Sequence, residues 1–478
     1  MATTANKFLN SILKFSVASW VSAGIAFISI PIVTHFFSPE EFGKINMFTM
    51  AMGIIVSLIG LSMEQSYVRF FKEVETEIER KKILTQCIAV VGCGFLVYLI
   101  ANLFLGKWLS YYLFDEMNFW LVYIAMPLTV LFTIVMSYQS FYFRMSEMAL
   151  GFAIISILGV LANKVAMVGA ALISPNYTMG VLFMTLSLGL LVVGYCIFAP
   201  RSFNIFLPKL EKKEVMPLLK YALPLAPVAF IVLLNTFVIR FMLKDYVSYS
   251  ALGLFTAATS IAGVLSIVQA GFVSYWVPFL FANYKTQQVF IQKIHSVITL
   301  LMVVVSLLII MFSDIFFLVL GESYRASKSI FPFLLIQPVT NTILYTTYCG
   351  IAISKKSYLQ TIASLFTFIF STALAIILIP KFGILGAALS NAGMGLCFFY
   401  CMSYFGGREY QSTERFWRTT LTLGVLIVAC IVNYMAISAM YKNIVFFLLL
   451  LFVMVMYVDV LSRLSSYLKI IKLNNKIK

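Results

Sequence analysis

The chain has 478 residues, of which 62% are hydrophobic and only 11% charged, and its formal net charge is +16. A soluble globular protein carries about 25% charged residues. This composition therefore excludes an ordinary soluble domain, and the excess of basic residues raises the question of where they lie.

Apolar segments recur along the whole chain. A bilayer core about 30 Å thick needs about 20 apolar residues in each helix. The segments do not alternate apolar and polar residues, as the strands of a membrane barrel would. We therefore predict an all-α integral membrane protein with about fourteen transmembrane helices. The predicted spans, in chain order, are 12–34, 45–67, 83–105, 119–142, 150–173, 178–199, 221–243, 251–277, 294–313, 330–353, 358–380, 384–405, 419–440 and 444–462.

The basic residues are concentrated on one side of these spans. If the N-terminus is cytoplasmic, 25 of the 34 Lys and Arg fall in cytoplasmic segments and 8 in external ones, and Lys164 lies within a span. This bias is typical of membrane proteins, whose cytoplasmic loops are enriched in Lys and Arg. We expect both termini to be cytoplasmic. Basic segments also attract anionic lipid headgroups, so no nucleic-acid partner is expected.

A polar segment at 200–217 separates the first twelve spans into two sets of six. We predict an N-terminal six-helix bundle at 1–200, a second six-helix bundle at 201–407, and an appended helix pair with a basic cytoplasmic tail at 408–478. No long soluble domain interrupts this pattern.

The two sets of six spans contain a weak internal repeat. Residues 38–53 and 248–263 align without gaps at an offset of 210, which pairs Gly43 with Gly253. Repeated halves around a site near the bilayer midplane are typical of secondary transporters.

Several segments occur in a characteristic order across nearly the whole chain. They include "FFSPEEFGKINMF", "YALPLAP", "LGESYRASKSIFPFLL" and "IPKFGILGAALSN". Together they resemble the Wzx-type polysaccharide or O-antigen flippase family, a branch of the multidrug/oligosaccharidyl-lipid/polysaccharide exporter superfamily. The resemblance implies two six-helix bundles in a V around a central cavity.

The resemblance also implies a function in surface-glycan assembly. Such a protein moves oligosaccharide repeat units linked to undecaprenyl diphosphate from the inner to the outer leaflet of the bacterial cytoplasmic membrane, for O-antigen or capsule. Its expected partners are the lipid-linked substrate, membrane lipids, a polysaccharide polymerase and a chain-length regulator. A multidrug or cation antiporter, a lipid II flippase and a non-transporting scaffold remain as alternatives.

The candidate binding residues include two basic residues within predicted spans, Lys164 and Arg240. Lys164, next to Asn163, interrupts the apolar span 150–173, and Arg240 lies in span 221–243, five residues beyond Asn235. A charge at the bilayer centre costs about 3 kcal/mol on insertion scales. We predict that these four residues bind substrate, with the cations opposing the charge of a lipid diphosphate. Burial against backbone carbonyls for Lys164 and an interfacial anchor for Arg240 are the structural alternatives.

Two further groups of polar residues are candidates. Gln337 and Asn341 lie one helical turn apart in span 330–353 and are predicted to contact sugars, or else to form interhelical hydrogen bonds. Glu64 and Arg69 are predicted to form a local ion pair or a cytoplasmic gate, and Glu64 is also a candidate proton carrier. No catalytic, metal or ATP-binding pattern stands out, so we expect neither an enzyme nor a cofactor.

Overall fold

The computed structural model describes residues 20–71, 73–146, 148–198, 212–354, 356–435, 437–460 and 462. All the regular elements in these ranges are helical. The helices of the N-terminal half are α1 (Trp20–Phe36), α2 (Pro39–Gly60), α3 (Met63–Phe70), α4 (Glu77–Phe114), α5 (Met126–Met145), α6 (Ala149–Ile173), α7 (Tyr177–Phe198), α8 (Lys212–Ala222), α9 (Ala226–Tyr246) and α10 (Tyr249–Ala262). The later helices are α11 (Leu265–Asn283), α12 (Gln288–Met311), α13 (Ser313–Leu318), α14 (Phe331–Thr347), α15 (Cys349–Ser354), α16 (Tyr358–Phe382), α17 (Ile384–Glu409), α18 (Phe416–Tyr434) and α19 (Ala439–Met456).

Within the described residues, ten helices are long and apolar enough to cross a membrane. Counting the bent pair α10 and α11 as one broken span brings the number to eleven. The prediction of an all-α membrane protein is confirmed. The total of about fourteen spans stays a prediction. In the described part of the chain, Trp20–Phe36 and Met440–Met456 are shorter apolar helices, and the predicted span 330–353 is divided between α14 and α15.

Prolines lie at the starts of two helices. Pro127 is the second residue of α5 and directly follows a π-helical turn at Trp120–Ala125. Pro224 lies in the turn between α8 and α9, and Pro227 is the second residue of α9. Proline is tolerated in a first helical turn because the N–H it lacks has no intrahelical partner there.

The helices form two compact units, Met1–Thr256 and Ala257–Lys478. In the first unit α2 packs against α4, α5, α7 and α9, and in the second unit α17 packs against α14 and α16. This grouping places α8 and α9 with the N-terminal helices. The division at residues 200 and 407 stays a prediction.

Glycines permit an unusually close crossing of α2 and α10 inside the first unit. A Cβ added at Gly43 would lie 2.2 Å from the carbonyl oxygen of Tyr249, and one added at Gly253 would lie 1.8 Å from that of Pro39. The offset of 210 maps Pro39 onto Tyr249 and Gly43 onto Gly253. Each repeat segment therefore contributes equivalent positions to the contact. A local two-fold axis between the two segments produces this kind of reciprocal contact.

Candidate functional site

Lys164 is a half-buried cation in α6. It forms no ion pair within the described part of the chain. On a helix with 3.6 residues per turn, it lies between an exposed apolar face that includes Leu161 and Val165 and a buried face that includes Ala166 and Ala170. The Oδ1 atom of its neighbour Asn163 is buried and has no hydrogen-bond partner in the part of the chain that the structure describes. The pair thus presents unsatisfied polar groups beside the packed face of α6.

Arg240 is more deeply buried, with 8% of its surface exposed. One guanidinium nitrogen, Nη1, lies 3.3 Å from the Sδ atom of Met50 on α2, and Cζ lies 5.9 Å from the ring centroid of Phe255 on α10. The described residues supply neither a hydrogen-bond partner to its buried Nε nor a carboxylate to the guanidinium. Burial of this degree does not suit a side chain that reaches out to a membrane interface. Asn235 is buried in the same helix.

On α14, three partly accessible residues, Gln337, Asn341 and Tyr345, form a line along one face, which we call the accessible stripe. The residues of this helix are buried except Gln337, Pro338, Asn341 and Tyr345, which are partly accessible. Gln337, Asn341 and Tyr345 are spaced by four residues and so share one face. A helix face in contact with lipid tails would be apolar, and this one carries two amides and a phenol. The accessible stripe therefore has the chemistry of a face lining a polar space.

A cavity of about 330 Å³ lies beside Glu64 within the first unit. Its walls come from α2, α3, α4, α5 and α9, and Glu64 is the charged residue among the described residues that line it. Tyr138 also lines the cavity, and its buried hydroxyl has no hydrogen-bond partner among the described residues. The volume is at the lower end of the range for ligand sites, about 300–1,000 Å³.

The backbone beside this cavity is unusual. Leu61 and Ser62, between α2 and α3, have φ values of 46° and 55°. Non-glycine residues rarely adopt this left-handed conformation, and such positions cluster at functional sites and switch regions. The break sets Glu64 at the start of a new helix, α3, rather than on the line of α2.

Arg69 does not pair with Glu64. Its guanidinium lies 2.7 Å from the carboxylate of Glu73, and both side chains are about half exposed. The reason is the spacing, because five residues place Glu64 and Arg69 about 140° apart around a helix. Within the described residues Glu64 has no ion-pair partner, and its role in gating stays a prediction.

The sequence interpretation missed a buried cluster of charged and aromatic groups around Tyr249. Lys244, whose side chain is 8% exposed, lies 2.7 Å from Asp115 and 5.3 Å from the centroid of the Tyr249 ring. Lys44 lies 3.3 Å from Glu40 and 5.4 Å from the same centroid. Cations at these distances are attracted by the ring face. The repeat alignment could have indicated this cluster, because it places Tyr249 and Lys44 in equivalent segments.

The arrangement of helices is similar to that of known membrane transporters. A structure of the lipid II flippase MurJ in an inward closed conformation aligns with a TM-score of 0.69 at 14% identity, covering 94% of this chain and 99% of that one. An inward-facing multidrug resistance MATE family transporter of the MOP superfamily aligns with a TM-score of 0.58 at 14% identity, covering 86% and 98%. A MATE structure in a bent conformation gives 0.55 at 13% identity, covering 88% and 97%. At these identities the likeness shows the fold alone, which is that of a multi-span helical membrane protein.

The family follows from the sequence itself. A profile of the family described as polysaccharide biosynthesis protein matches residues 8–284. This match covers more than half of the chain, so the protein belongs to that family. The resemblance to Wzx-type flippases is confirmed, since the family includes them and other members of the superfamily. No curated protein matches the chain in sequence.

Proposed function

We propose that the protein is a flippase that moves an oligosaccharide linked to undecaprenyl diphosphate from the inner to the outer leaflet of the bacterial cytoplasmic membrane. The product would serve the assembly of a surface polysaccharide such as O-antigen or capsule. In this role the protein is not an enzyme and needs no cofactor. A polymerase and a chain-length regulator are the expected partners.

The observation that carries the proposal is the burial of Arg240 without a carboxylate among the described residues. Removing a cation from water costs several kcal/mol unless a counter-charge accompanies it. Ionisable residues within membrane spans commonly mark substrate or ion pathways, and a substrate anion would supply the counter-charge that Arg240 lacks. A lipid diphosphate is an anion of the required kind, and a guanidinium binds phosphate oxygens through paired hydrogen bonds.

Two further features support a substrate with both a charged and a sugar portion. Lys164 provides a second cation without an ion-pair partner in the described residues. The accessible stripe of α14 offers amide groups for sugar hydroxyls and a tyrosine ring for sugar C–H faces. The membrane potential would assist the step, because outward movement of each negative charge gains about 2.3 kcal/mol per 100 mV.

A cation antiporter is the second candidate function, and Glu64 is the residue that favours it. A carboxylate in a cavity, without an ion-pair partner among the described residues, is suited to binding a proton, Na⁺ or a cationic drug. A lipid II flippase is less favoured. Resemblance to that family would imply arginines within the first two spans, and this chain has no arginine before Arg69.

The test is a transbilayer assay in proteoliposomes that contain a fluorescent polyprenyl-diphosphate disaccharide. An impermeant reductant quenches only the outer leaflet, so transport appears as loss of the protected signal. We expect the wild-type protein to transport the lipid. Arg240→Gln should lower the transport rate about tenfold or more, because it removes a charge-assisted hydrogen bond of the corresponding free energy.

The matched control is Arg144→Gln, which removes an exposed arginine from the end of α5 and should leave the rate unchanged. Absence of lipid transport by the wild-type protein, together with export of a cationic dye driven by a proton or Na⁺ gradient, would replace the proposal with the antiporter.

A further inference from the structure

A second cavity, of about 250 Å³, lies within the second unit at the ends of three helices. It is bounded by the first turns of α12 and α18 and by the segment just after α19. These three helices pack against one another. The distribution of basic residues assigns all three ends to the cytoplasmic face of the membrane. Phosphate groups of the inner leaflet lie at this level.

The polar part of this cavity carries an excess of positive charge. Three cations line it, Lys293, Arg415 and Arg418, against two carboxylates, Glu414 and Asp459. The amino-terminal ends of α12 and α18 add partial positive charge, because helix dipoles point their positive ends there. The lining is thus electropositive although it contains acidic groups.

The cations differ in how far they are neutralised. Arg418 is 16% exposed, and its Nη1 donates to both carboxylate oxygens of Asp459 at 3.0 Å. Arg415 is 47% exposed and 3.8 Å from Asp459, and exposed Lys293 has no ion pair among the described residues. Lys293 and Arg415 therefore remain available to an additional anion.

The rest of the cavity wall is apolar. Phe290, Ile294 and Val297 line it from α12, and Val460 from the segment after α19. Phe290 is 47% exposed, and Trp417, beside the cavity on α18, is 57% exposed. A soluble anion gains nothing from such walls, whereas a lipid places its phosphate on the cations and its acyl chains along the apolar surface.

We propose that this cavity, lined by Lys293, Arg415 and Arg418, binds the phosphate headgroup of an anionic phospholipid of the inner leaflet. Basic pockets between transmembrane helices on the cytoplasmic side are suited to such headgroups. The bound lipid holds the ends of α12, α18 and α19 together through charges from two of these helices. The site is separate from Lys164, Arg240 and Glu64, and it does not depend on the transported substrate.

The experiment is native mass spectrometry of the delipidated full-length protein titrated with phosphatidylglycerol or with phosphatidylcholine of the same acyl chains. We expect the wild-type protein to prefer phosphatidylglycerol. The double variant Lys293→Gln/Arg415→Gln should bind it about tenfold more weakly, which corresponds to about 1.4 kcal/mol. The control, Lys285→Gln/Arg408→Gln, removes two exposed cations outside the cavity with the same change of net charge and should bind like wild type.

A third variant keeps the test decisive if the double variant does not fold. Asp459→Asn removes the carboxylate that neutralises Arg418 and should tighten phosphatidylglycerol binding severalfold. Unchanged or weaker binding by Asp459→Asn would overturn the proposal, as would equal binding by the double variant and its control. Soluble glycerol phosphate at millimolar concentration should not displace the lipid, and full displacement would assign the cavity to free anions instead.

Discussion

Gly43 of α2 and Gly253 of α10 face each other's helices reciprocally, each against the backbone of the residue four positions before the other glycine. The helices can approach this closely because neither glycine carries a Cβ. The same two glycines pair in the repeat alignment of the sequence. The crossing therefore gives the weak internal repeat a physical basis.

Substitution at this crossing should be strongly destabilising. Gly253→Ala would set a Cβ 1.8 Å from the backbone oxygen of Pro39, so α2 and α10 must separate. We expect a loss of about 1–3 kcal/mol, typical of overpacking, measured as a lower melting temperature in detergent. Gly92→Ala, where an added Cβ meets no atom within 4 Å, is the control and should be neutral or slightly stabilising. Equal melting of both variants would contradict the close crossing.

Lys164→Ala should reduce surface-glycan export without lowering the amount of protein in the membrane. Its amine is half buried in α6 and lacks an ion-pair partner in the described residues, so it is free to oppose a substrate anion. Lys164→Arg, which keeps the charge, should retain part of the export. The control is Lys107→Ala, at an exposed position of α4. Full export by Lys164→Ala would leave only a structural role for this lysine.

The contributions of Lys164 and Arg240 to substrate binding should not add if both side chains contact one anionic headgroup. Once one cation is lost, the diphosphate binds too weakly for the second cation to contribute fully. A double-mutant cycle on binding of a lipid diphosphate should then give a coupling energy above about 0.5 kcal/mol. Strict additivity with folded variants would mean that the two cations act at separate places.

Glu64→Gln should separate substrate movement from its energy supply. If the carboxylate in the 330 Å³ cavity carries a proton or Na⁺, the variant loses the response of transport to an imposed ion gradient. Glu73→Gln is the control, since it removes the partner of Arg69 at an exposed ion pair worth about 0.2–1 kcal/mol. An unchanged gradient response in Glu64→Gln would exclude Glu64 as the ion carrier.

Reporter fusions test the predicted topology. A reporter placed after Lys478 should be cytoplasmic, and one inserted within 174–178, where α6 ends and α7 begins, should be external. The reason is the division of basic residues, 25 cytoplasmic against 8 external. Reports from the same side would mean that the number of spans is wrong by one.

The sequence by itself determined the membrane class, the helical fold and the family. These depend on local properties, because the length and hydropathy of each segment decide whether it spans a bilayer whatever its neighbours are. It also placed Lys164 and Arg240 inside apolar segments, where a charge is costly enough to be noticed without a structure.

Only the tertiary structure decided which groups meet and which remain unpaired. The sequence suggested Glu64 as a partner for Arg69, whereas the fold pairs Arg69 with Glu73 and places Glu64 in a cavity formed by helices that are distant in the chain. The burial of Arg240 and the partial exposure of the accessible stripe of α14 likewise depend on how other helices pack around them. Burial and pairing are set by what other helices bring to a residue, and those contacts, unlike hydropathy, are not encoded in its local sequence.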